Sequence, residues 1–478
     1  MGKVLFAVSE CVPFCKTGGL ADVAGALPQK LIEKGVDVRV VLPYYKDIEH
    51  MYHDKVERIA VGTISLNWRN QYVGVLRMIH QGITYYFIEN AYYFRRDTLY
   101  GHYDDGERFA YFSRAVLELP RLLNYVPDLI HCHDWHTGMI PFLLNEQYRW
   151  DQLYKNIRTI FTIHNLQFQG IFSKHFMNEM LELHDRYFTP EQLEFYGNIN
   201  FMKAGILAAD YVTTVSPTYK EEIQYPFFGE RLEGLLQHLN GKLYGIINGI
   251  DDNLYDPYND NLISKKYNSS KIHLKYKNKE ELQKHLALPV NKDVPVIAMV
   301  TRLTKQKGLE LVRHVFHDIM KNDIQLIILG TGDNEFERFF LQMTAEYPSK
   351  VKYYNGFNEP LAHQIYAGSD MFLMPSLFEP CGLGQMIAMR YGSVPIVRET
   401  GGLNDTVHSY DEQKRLGNGF TFKHFNAHDM LFSIERALSY YKQPQIWKII
   451  VKEAMTEDNS WTHSAKEYIR IYERLLTR

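Results

Sequence analysis

The sequence predicts an α/β fold with parallel sheets in more than one domain, and three observations support this. Apolar runs of strand length recur along the chain, and glycine turns and residues with helical spacing follow them. Several of these runs end in polar residues, at the strand ends where parallel sheets bind their ligands. The 478 residues are enough for two or three domains, each with its own core.

Composition narrows the class of protein. Hydrophobic residues make up 45% of the chain and charged residues 23%, as in ordinary globular proteins, and the formal net charge of -3 favours neither nucleic acid nor an anionic membrane as partner. The four cysteines form no Cys-x-x-Cys pair, which favours reduced thiols. No apolar run is long enough to span a bilayer or to form a signal peptide. We therefore expect a cytoplasmic protein with no membrane partner; its oligomeric state stays unknown.

The loop after the first predicted strand, Val4–Val8, has the residues of an anion site. Lys16 precedes the pair Gly18 and Gly19, and helical spacing begins directly afterwards. Backbone amides at a helix N-terminus together with a lysine can bind an anion. The alternative is a tight turn with a solvated lysine.

Two later strands of the first half also end in polar residues. Asp128–His133 is followed by Asp134 and His136, and Arg158–Ile163 by His164. Because His131 and His133 would share one side of a strand, they could chelate a metal. No second ligand cluster accompanies them, so we favour hydrogen bonding to sugar hydroxyls. A loop containing Tyr100, rich in aromatic and charged residues, suits a polyhydroxylated substrate, or is a plain surface loop.

A second α/β domain is predicted beyond Asn248–Asp251. The Lys- and Asn-rich segment 258–284 is interpreted as a solvated face. Strand–helix alternation then resumes, and a Gly-x-Gly sequence at 330–332 lacks the third glycine of the dinucleotide fingerprint. The sequence Thr400-Gly401-Gly402-Leu403 repeats the pattern of Thr17-Gly18-Gly19-Leu20 from the first half, as expected of two similar domains.

The stretch from Met371 to Leu403 is the most informative. An apolar run ends at Pro375, and Glu379 follows at what would be the carboxyl end of a strand. Glu379 is either a ligand-binding carboxylate or a cap of the helix predicted for 385–391. The chain contains no Asp-x-Asp pair. A diphosphate leaving group bound without a metal needs fixed positive charge, and Lys16, Arg302 and Lys307 supply it.

The chain resembles the bacterial glycogen synthases, to which the plant starch synthases are closely related. The resemblance covers nearly the whole chain in order, and it rests on the following segments: Lys16–Leu20, His133–His136, Thr162–Asn165, Lys203–Ile206, Ser216–Tyr219, Asn248–Asp251, Arg302–Gly308, Glu379–Leu383 and Thr400–Leu403. The family implies a GT-B fold, with two Rossmann-like domains facing across a deep interdomain cleft. We place these domains at 1–245 (acceptor side) and 246–455 (donor side), with a C-terminal helix at 456–478 returning to the first.

The resemblance also implies a reaction and its residues. The reaction is transfer of glucose from ADP-glucose to the 4-hydroxyl at the non-reducing end of an α-1,4-glucan, with retention of configuration and without metal or pyridoxal phosphate. Glu379, His164, Arg302 and Lys307 match the family's catalytic residues, and Asp134, His136 and Tyr100 are assigned to the acceptor. The residues assigned to the donor are Lys16, Gly18, Gly19, Asn248, Gly330, Phe357, Cys381, Gly382, Leu383, Thr400, Gly401 and Gly402.

Two departures from the family pattern concern the donor. Phe357 stands where the family often has a tyrosine that stacks on adenine, and Gly384 replaces the usual Thr or Ser before Gln385. The choice between ADP-glucose and UDP-glucose is what the residues define least well. The alternative functions are a sugar-nucleotide epimerase, a phosphorylase with pyridoxal phosphate, and a non-catalytic glucan-binding scaffold.

Overall fold

The structure, a computed structural model, describes residues 2–239 and 241–477. The chain forms two compact units. Unit 1 comprises Met1–Val215, Lys220–Gly249 and Trp461–Arg478, and unit 2 comprises Ser216–Tyr219 and Ile250–Ser460. Each unit is described separately below.

The strands of the described residues are, in chain order, β1 (Lys3–Ala7), β2 (Asp37–Pro43), β3 (Glu57–Leu66), β4 (Arg69–His80), β5 (Ile83–Glu89), β6 (Leu129–His133), β7 (Arg158–Ile163), β8 (Ile171–Ser173), β9 (Glu194–Phe195), β10 (Asn198–Asn200), β11 (Tyr211–Thr214), β12 (Leu243–Gly245), β13 (Val296–Val300), β14 (Gln325–Gly330), β15 (Val351–Asn355), β16 (Met371–Met374), β17 (Val394–Arg398) and β18 (Phe420–Phe422).

The α-helices of the same residues are α1 (Gly19–Glu33), α2 (Lys46–Tyr52), α3 (Ala91–Phe94), α4 (Asp105–Leu123), α5 (Met139–Leu143), α6 (His175–Glu179), α7 (Phe201–Ala208), α8 (Pro217–Glu222), α9 (Glu233–Gln237), α10 (Lys275–His285), α11 (Leu309–His314), α12 (Phe316–Met320), α13 (Asn334–Glu346), α14 (Glu359–Gly368), α15 (Gly384–Arg390), α16 (Gly401–Thr406), α17 (Ala427–Tyr441), α18 (Pro444–Thr456) and α19 (Trp461–Leu476). A π-helical turn, Leu144–Tyr148, extends α5.

Unit 1 is built around a mostly parallel sheet. Among the described residues its strands lie in the order β12-β11-β7-β6-β1-β2-β5-β4-β3, and only the pairs β5–β4 and β4–β3 are antiparallel. The central strand β6 is buried over its whole length and β1 over all but its first residue, as expected where helices cover both faces of a parallel sheet. Parallel pairing brings the carboxyl ends of β1, β6 and β7 to one edge, where the polar residues predicted from the sequence follow.

Unit 2 has a sheet of the same kind. In the described part of the chain the strand order is β15-β14-β13-β16-β17-β18, and every pair is parallel. The order reverses between β13 and β16, which is the switch point where such sheets bind ligands. The loops that follow these two strands carry Arg302 and Glu379.

One predicted helix begins later than the apolar pattern suggested. The segment 198–209 was predicted to be helical throughout, but Asn198–Asn200 forms β10 and the helix starts at Phe201. Asn200 ends the strand and caps the helix, because its side chain accepts a hydrogen bond from the amide of Lys203 at 2.9 Å.

The prediction that segment 258–284 is a solvated face was wrong for two of its lysines. Lys279 is 1% exposed, and its ammonium group lies 2.7 Å from the carboxylate of Asp370. Lys275 is also buried and donates to the carbonyls of Tyr366 and Ala367. Burial lowers the pKa of Lys275 to about 7. The methylene groups of a lysine pack like an apolar side chain when carbonyls or a carboxylate accept hydrogen bonds from its ammonium group.

The last helix, α19, belongs to unit 1. The hydroxyl of Tyr472 lies 2.8 Å from Nδ1 of His131 on β6, and Ser464 donates to the carbonyl of Ile247 at 2.5 Å. The helix therefore attaches to the sheet through hydrogen bonds as well as apolar packing. None of the described helices is long and apolar enough to cross a membrane.

Candidate active site

Lys307 and Glu379 form the most buried ion pair among the predicted site residues. Their side chains are 14% and 8% exposed, and Nζ of Lys307 lies 2.7 Å from the Glu379 carboxylate. Ser376 donates to the same carboxylate oxygen at 2.9 Å. The alternative that Glu379 caps the following helix is wrong, since α15 begins after Leu383 without a side-chain cap. Glu379 is instead a carboxylate held at the carboxyl edge of the sheet.

The glycines at 401 and 402 allow two loops to pack backbone against backbone. A Cβ on Gly401 would lie 1.9 Å from the carbonyl oxygen of Glu379, and one on Gly402 would lie 2.1 Å from that of Cys381. The amide of Gly402 donates to the Glu379 carbonyl at 3.1 Å. Only glycine fits at either position, so these residues fix the position of the loop that carries Glu379.

The loop after β13 also packs closely against a glycine of another loop. Gly330 has a φ of 156°, and a Cβ there would lie 1.8 Å from the carbonyl oxygen of Thr301. Gly308 has a φ of 70° and lies against the carbonyl of Pro375 in the same way. The Gly-x-Gly sequence at 330–332 thus serves close packing against the loop of Arg302.

The other residues of unit 2 that were predicted to bind the donor differ in their exposure to solvent. Arg302 is exposed, and the Phe357 ring is 78% exposed, so both are open to a ligand. Cys381 and Thr400 are buried in the two packed loops. Gly382 has a φ of 73°, which turns the chain into Leu383 and α15.

Sequence reasoning assigned no role to three residues near the Glu379 loop. Ser376 bonds the carboxylate directly, and its position three residues before Glu379 was the available signal. Ser216, which is far away in sequence, donates to the carbonyl of Pro380 at 2.6 Å. Thr218 also donates, to Asp405 of α16 at 2.6 Å. The segment Ser216–Tyr219 thereby joins the loop of Glu379 to helix α16.

In unit 1, Asp134 and His164 meet at the ends of β6 and β7. The amide of His164 donates to the Asp134 carboxylate at 2.8 Å. Asp134 has a φ of 55°, a left-handed conformation that is uncommon outside glycine and is found at functional sites. Burial raises the pKa of Asp134 to about 7, although amide donors oppose this shift. Its carboxyl group therefore titrates near neutral pH.

The histidines of this edge are neutral. Burial lowers the pKa of His164 to about 3, and those of His131 and His133 fall well below the usual range for the same reason. Nδ1 of His133 lies 2.9 Å from Nε2 of His164, so one ring donates to the other. His131 bonds Tyr472 and Thr162 through its two nitrogens, leaving neither for a metal. No group of three or more metal-binding side chains occurs within 2–239 and 241–477.

Tyr100 and His136 form an aromatic pair next to β1. Their ring centroids are 4.4 Å apart, and the Tyr100 hydroxyl donates to Ser9 at 2.7 Å. His136 also stacks on Trp135 at 4.0 Å, and its Nδ1 is buried without a hydrogen-bond partner among the described residues. Nδ1 of His136 is thus a buried polar atom that none of the described residues satisfies.

The Lys16 loop is ordered by a buried carboxylate. Glu10 accepts hydrogen bonds from the amide and the hydroxyl of Thr17, at 2.6 and 2.7 Å. Lys16 pairs with Asp22 at 2.7 Å, and a Cβ on Gly19 would meet no atom within 4 Å. The space beside Gly19 is therefore open at the start of α1. The side-chain oxygen of Asn248, also predicted to bind the donor, is buried and has no partner within the described ranges.

The structure thus brings the predicted residues together in groups. Lys307, Glu379 and the two glycine loops form one group in unit 2. Asp134 with His164, and Tyr100 with His136, form pairs in unit 1.

Family models match most of the chain. The starch synthase catalytic domain matches residues 3–238, and the group 1 glycosyl transferases match residues 279–453. The glycogen synthases of Bacillus cereus and Anoxybacillus flavithermus are each 60% identical over 474 residues, which is 99% of this chain and 100% and 98% of theirs. The chain belongs to the glycogen synthase family.

Solved structures agree with this family. The catalytic domain of starch synthase IV from Arabidopsis thaliana, bound to ADP and acarbose, is 34% identical with a TM-score of 0.93, and all of both chains is covered. A sucrose-phosphate synthase from Thermosynechococcus elongatus shares the fold at 18% identity and a TM-score of 0.61, also over both whole chains. The predictions of the family, the GT-B fold and an ADP-glucose-dependent glycosyltransferase are confirmed.

Proposed function

We propose that this member of the glycogen synthase family extends an α-1,4-glucan by one glucose per turnover, with the Lys307–Glu379 pair at the centre of the donor site. The observation that carries the proposal is this buried pair, held by loops that pack so closely that only glycine fits at positions 401 and 402. Arg302 and Lys307 would hold the diphosphate, and Glu379 would hold the glucosyl group. Phe357 would stack on the adenine.

We assign the remaining residues by their chemistry. Lys16 and the amides of Gly18 and Gly19 suit the diphosphate as well, because a helix N-terminus and a lysine offer donors and a positive charge. Asn248, Gly330, Cys381, Gly382, Leu383 and Thr400 through Gly402 would contact the donor through their backbone or a short side chain. Asp134, His136 and Tyr100 would contact the acceptor. This assigns acceptor binding to the domain predicted at 1–245 and most donor contacts to that at 246–455, with Lys16, Gly18 and Gly19 of the first domain also at the diphosphate.

The proposed transfer proceeds on one face of the sugar. The bond between C1 of glucose and the β-phosphate oxygen breaks, and C1 bonds to the 4-hydroxyl oxygen of the acceptor. The hydroxyl proton passes to the departing phosphate. Because the acceptor bonds to C1 on the face that the phosphate leaves, the configuration at C1 is retained. Neutral His164 is a poor proton donor at physiological pH, and its backbone carbonyl would face the positive charge that develops at C1. Fixed cations neutralise the leaving group, and no metal takes part in any step.

Initial rates with ADP-glucose and UDP-glucose on maltoheptaose test this proposal. We expect a higher rate with ADP-glucose, α-1,4 linkages by proton NMR, and the same rate after EDTA treatment. A β-linked product, or a covalent glucosyl-enzyme trapped during turnover, would contradict the proposed transfer. A cytoplasmic location is part of the proposal, since nucleotide sugars are intracellular substrates.

A further inference from the structure

The loop that carries Tyr100 contains no helix and no strand. It joins α3, which ends at Phe94, to α4, which begins at Asp105. The amides of Gly101 and His102 donate to a side chain, the carboxylate of Asp105, at 2.8 and 3.2 Å. Such side-chain bonds fix a loop in place where no regular backbone pairing does so. The position of Tyr100 therefore depends on the side chains that hold this loop.

Arg108 holds the same loop from a fully buried position on α4. Its Nη1 donates to the carbonyl of Leu99 at 3.0 Å and to Asp105 at 2.5 Å, and its Nε donates to the carbonyl of Tyr93 at 2.7 Å. A planar guanidinium can bond several groups at once in a fixed geometry, which the ammonium of a lysine cannot do. Arg108 thus joins α3, the Tyr100 loop and α4.

The carboxylate of Asp105 connects Arg108 to the far side of Tyr100. Its Oδ1 accepts from Arg108, whereas its Oδ2 accepts from the amides of Gly101 and His102. The two side chains of the pair are 0% and 11% exposed. A buried charge pair is weak evidence for stability, because apolar residues of similar volume often replace such a pair without loss. A role in holding the backbone on both sides of Tyr100 accounts for the pair.

The loop holds Tyr100 against residues at the edge of the sheet. The Tyr100 hydroxyl donates to Ser9, which is buried just after β1, and its ring lies 4.4 Å from that of His136. Phe109 packs on both rings, with centroids at 5.9 and 4.7 Å. Burial and, after it, the positive charge of Arg108 lower the pKa of His136 well below its usual range, so Arg108 lies near this ring. Movement of the loop would separate Tyr100 from these partners.

We propose that Arg108 is a positioning residue for the glucan acceptor, because together with Asp105 it holds the loop from which Tyr100 contacts that acceptor. The inference rests on the proposed function in taking Tyr100 as an acceptor contact. Arg108 is closed to solvent, so it acts through Tyr100 and does not touch the glucan. None of its hydrogen bonds within 2–239 and 241–477 reaches a residue assigned to the donor. Its loss weakens acceptor binding and leaves donor binding unchanged.

Kinetics of single and double variants test the proposal. Arg108→Met keeps a long side chain and removes its hydrogen bonds. We expect the KM for maltotriose to rise about 10-fold and the KM for ADP-glucose to stay unchanged, since residues of one hydrogen-bond network typically couple by about this much. In a Tyr100→Ala background the same substitution should change the KM for maltotriose less than ~2-fold, because the ring that Arg108 positions is then absent.

Arg114→Met is the matched control. Arg114 is also buried on α4, but it donates to the carbonyl of Leu181 at 2.7 Å and pairs with Glu182 at 3.2 Å, away from the Tyr100 loop. It should lower the melting temperature, as Arg108→Met should, and keep the parental KM for maltotriose. An equal rise of this KM in both variants would show a general effect of disturbing α4 and would overturn the inference.

Hydrogen exchange of the parental protein does not depend on how the variants fold. The amides of Gly101 and His102 should exchange slowly although they lie outside helices and strands, and faster in Arg108→Lys. Fast exchange of both amides in the parental protein would overturn the inference. So would a parental KM for maltotriose in folded Arg108→Met when Tyr100→Ala raises it. A parental KM in Tyr100→Ala would instead overturn the proposed role of Tyr100, and the inference with it.

Discussion

At the scale of single residues, Lys307 is expected to be required for turnover. Lys307→Ala removes the charge that we propose to lie at the leaving group, and losing one such preorganised charge typically costs about 100- to 1,000-fold in kcat. It also leaves Glu379 buried without its partner, a change that costs about 3–5 kcal/mol of stability, so melting curves must accompany the kinetics. Lys305→Ala is the control, since Lys305 lies in the same 3-10 turn with a 66% exposed side chain. Near-parental turnover in a folded Lys307→Ala variant would contradict the assignment.

Asp134 is expected to make stability depend on pH. Burial raises its pKa from 3.8 to about 7, so between these values the native state holds a proton that the unfolded chain has lost. The stability that this proton contributes is present at low pH and is lost as pH rises towards 7, by up to about 1.4 kcal/mol per pH unit. Asp134→Asn should remove this slope while keeping the acceptor for the His164 amide.

Urea unfolding at pH 5, 6 and 7 measures the effect. Asp128→Asn, which changes an exposed aspartate of the same unit, should leave the slope as in the parental protein. Equal slopes in the parental protein and in Asp134→Asn would show that this carboxyl group does not control the pH dependence.

The charged residues proposed for the site could be named from the sequence, but the residues that they contact could not. Glu379 and Lys307 were each assigned to the donor, but their ion pair joins residues 72 positions apart, and the strand order of unit 2 creates it. Ser216 bonds a carbonyl 164 positions away, which no local pattern reveals. The roles of the site residues remain predictions, whereas the structure gives the contacts among them within each unit.

At the scale of elements, the close packing at Gly401 is expected to contribute to both stability and turnover. Gly401→Ala would place a Cβ 1.9 Å from the Glu379 carbonyl, at a φ of 45°. We expect it to lower stability by more than ~1 kcal/mol and to lower turnover, because the loop of Glu379 must move. Gly234→Ala in α9 is the matched control, since its Cβ would meet nothing within 4 Å and alanine favours helix.

Thermal melting and kcat of the two alanine variants decide this point. Parental stability and turnover in Gly401→Ala would mean that the two loops can separate without cost, and that their packing does not position Glu379.

The elements themselves were largely predictable because buried parallel strands have a clear pattern. The strand Arg158–Ile163 was predicted to the residue, whereas the first residues of the predicted helix 198–209 form β10. That strand exists because β8 and β9 pair with it, and such pairing is not visible in one sequence. The buried lysines of α10 escaped prediction because carbonyls contributed by α14 receive one of them.

At the scale of the whole molecule, the last helix is expected to stabilise unit 1 through Tyr472. Tyr472→Phe would leave a nitrogen of buried His131 without its partner, at a cost of about 1–3 kcal/mol. Tyr45→Phe is the control, because the buried hydroxyl of Tyr45 has no hydrogen-bond partner within 2–239 and 241–477. Chemical denaturation of both variants compares them, and equal stabilities would show that the bond to α19 contributes nothing.

The account as a whole depends on glucosyl transfer at the Lys307–Glu379 site, and one assay tests this directly. Maltoheptaose and ADP-glucose are incubated with the parental protein or with Glu379→Gln, and the products are followed by mass spectrometry together with released ADP. We predict glucans that grow by single glucose units, one ADP for each glucose added, and almost no growth with Glu379→Gln. Hydrolysis of ADP-glucose without chain growth, or growth at the parental rate in Glu379→Gln, would contradict the account.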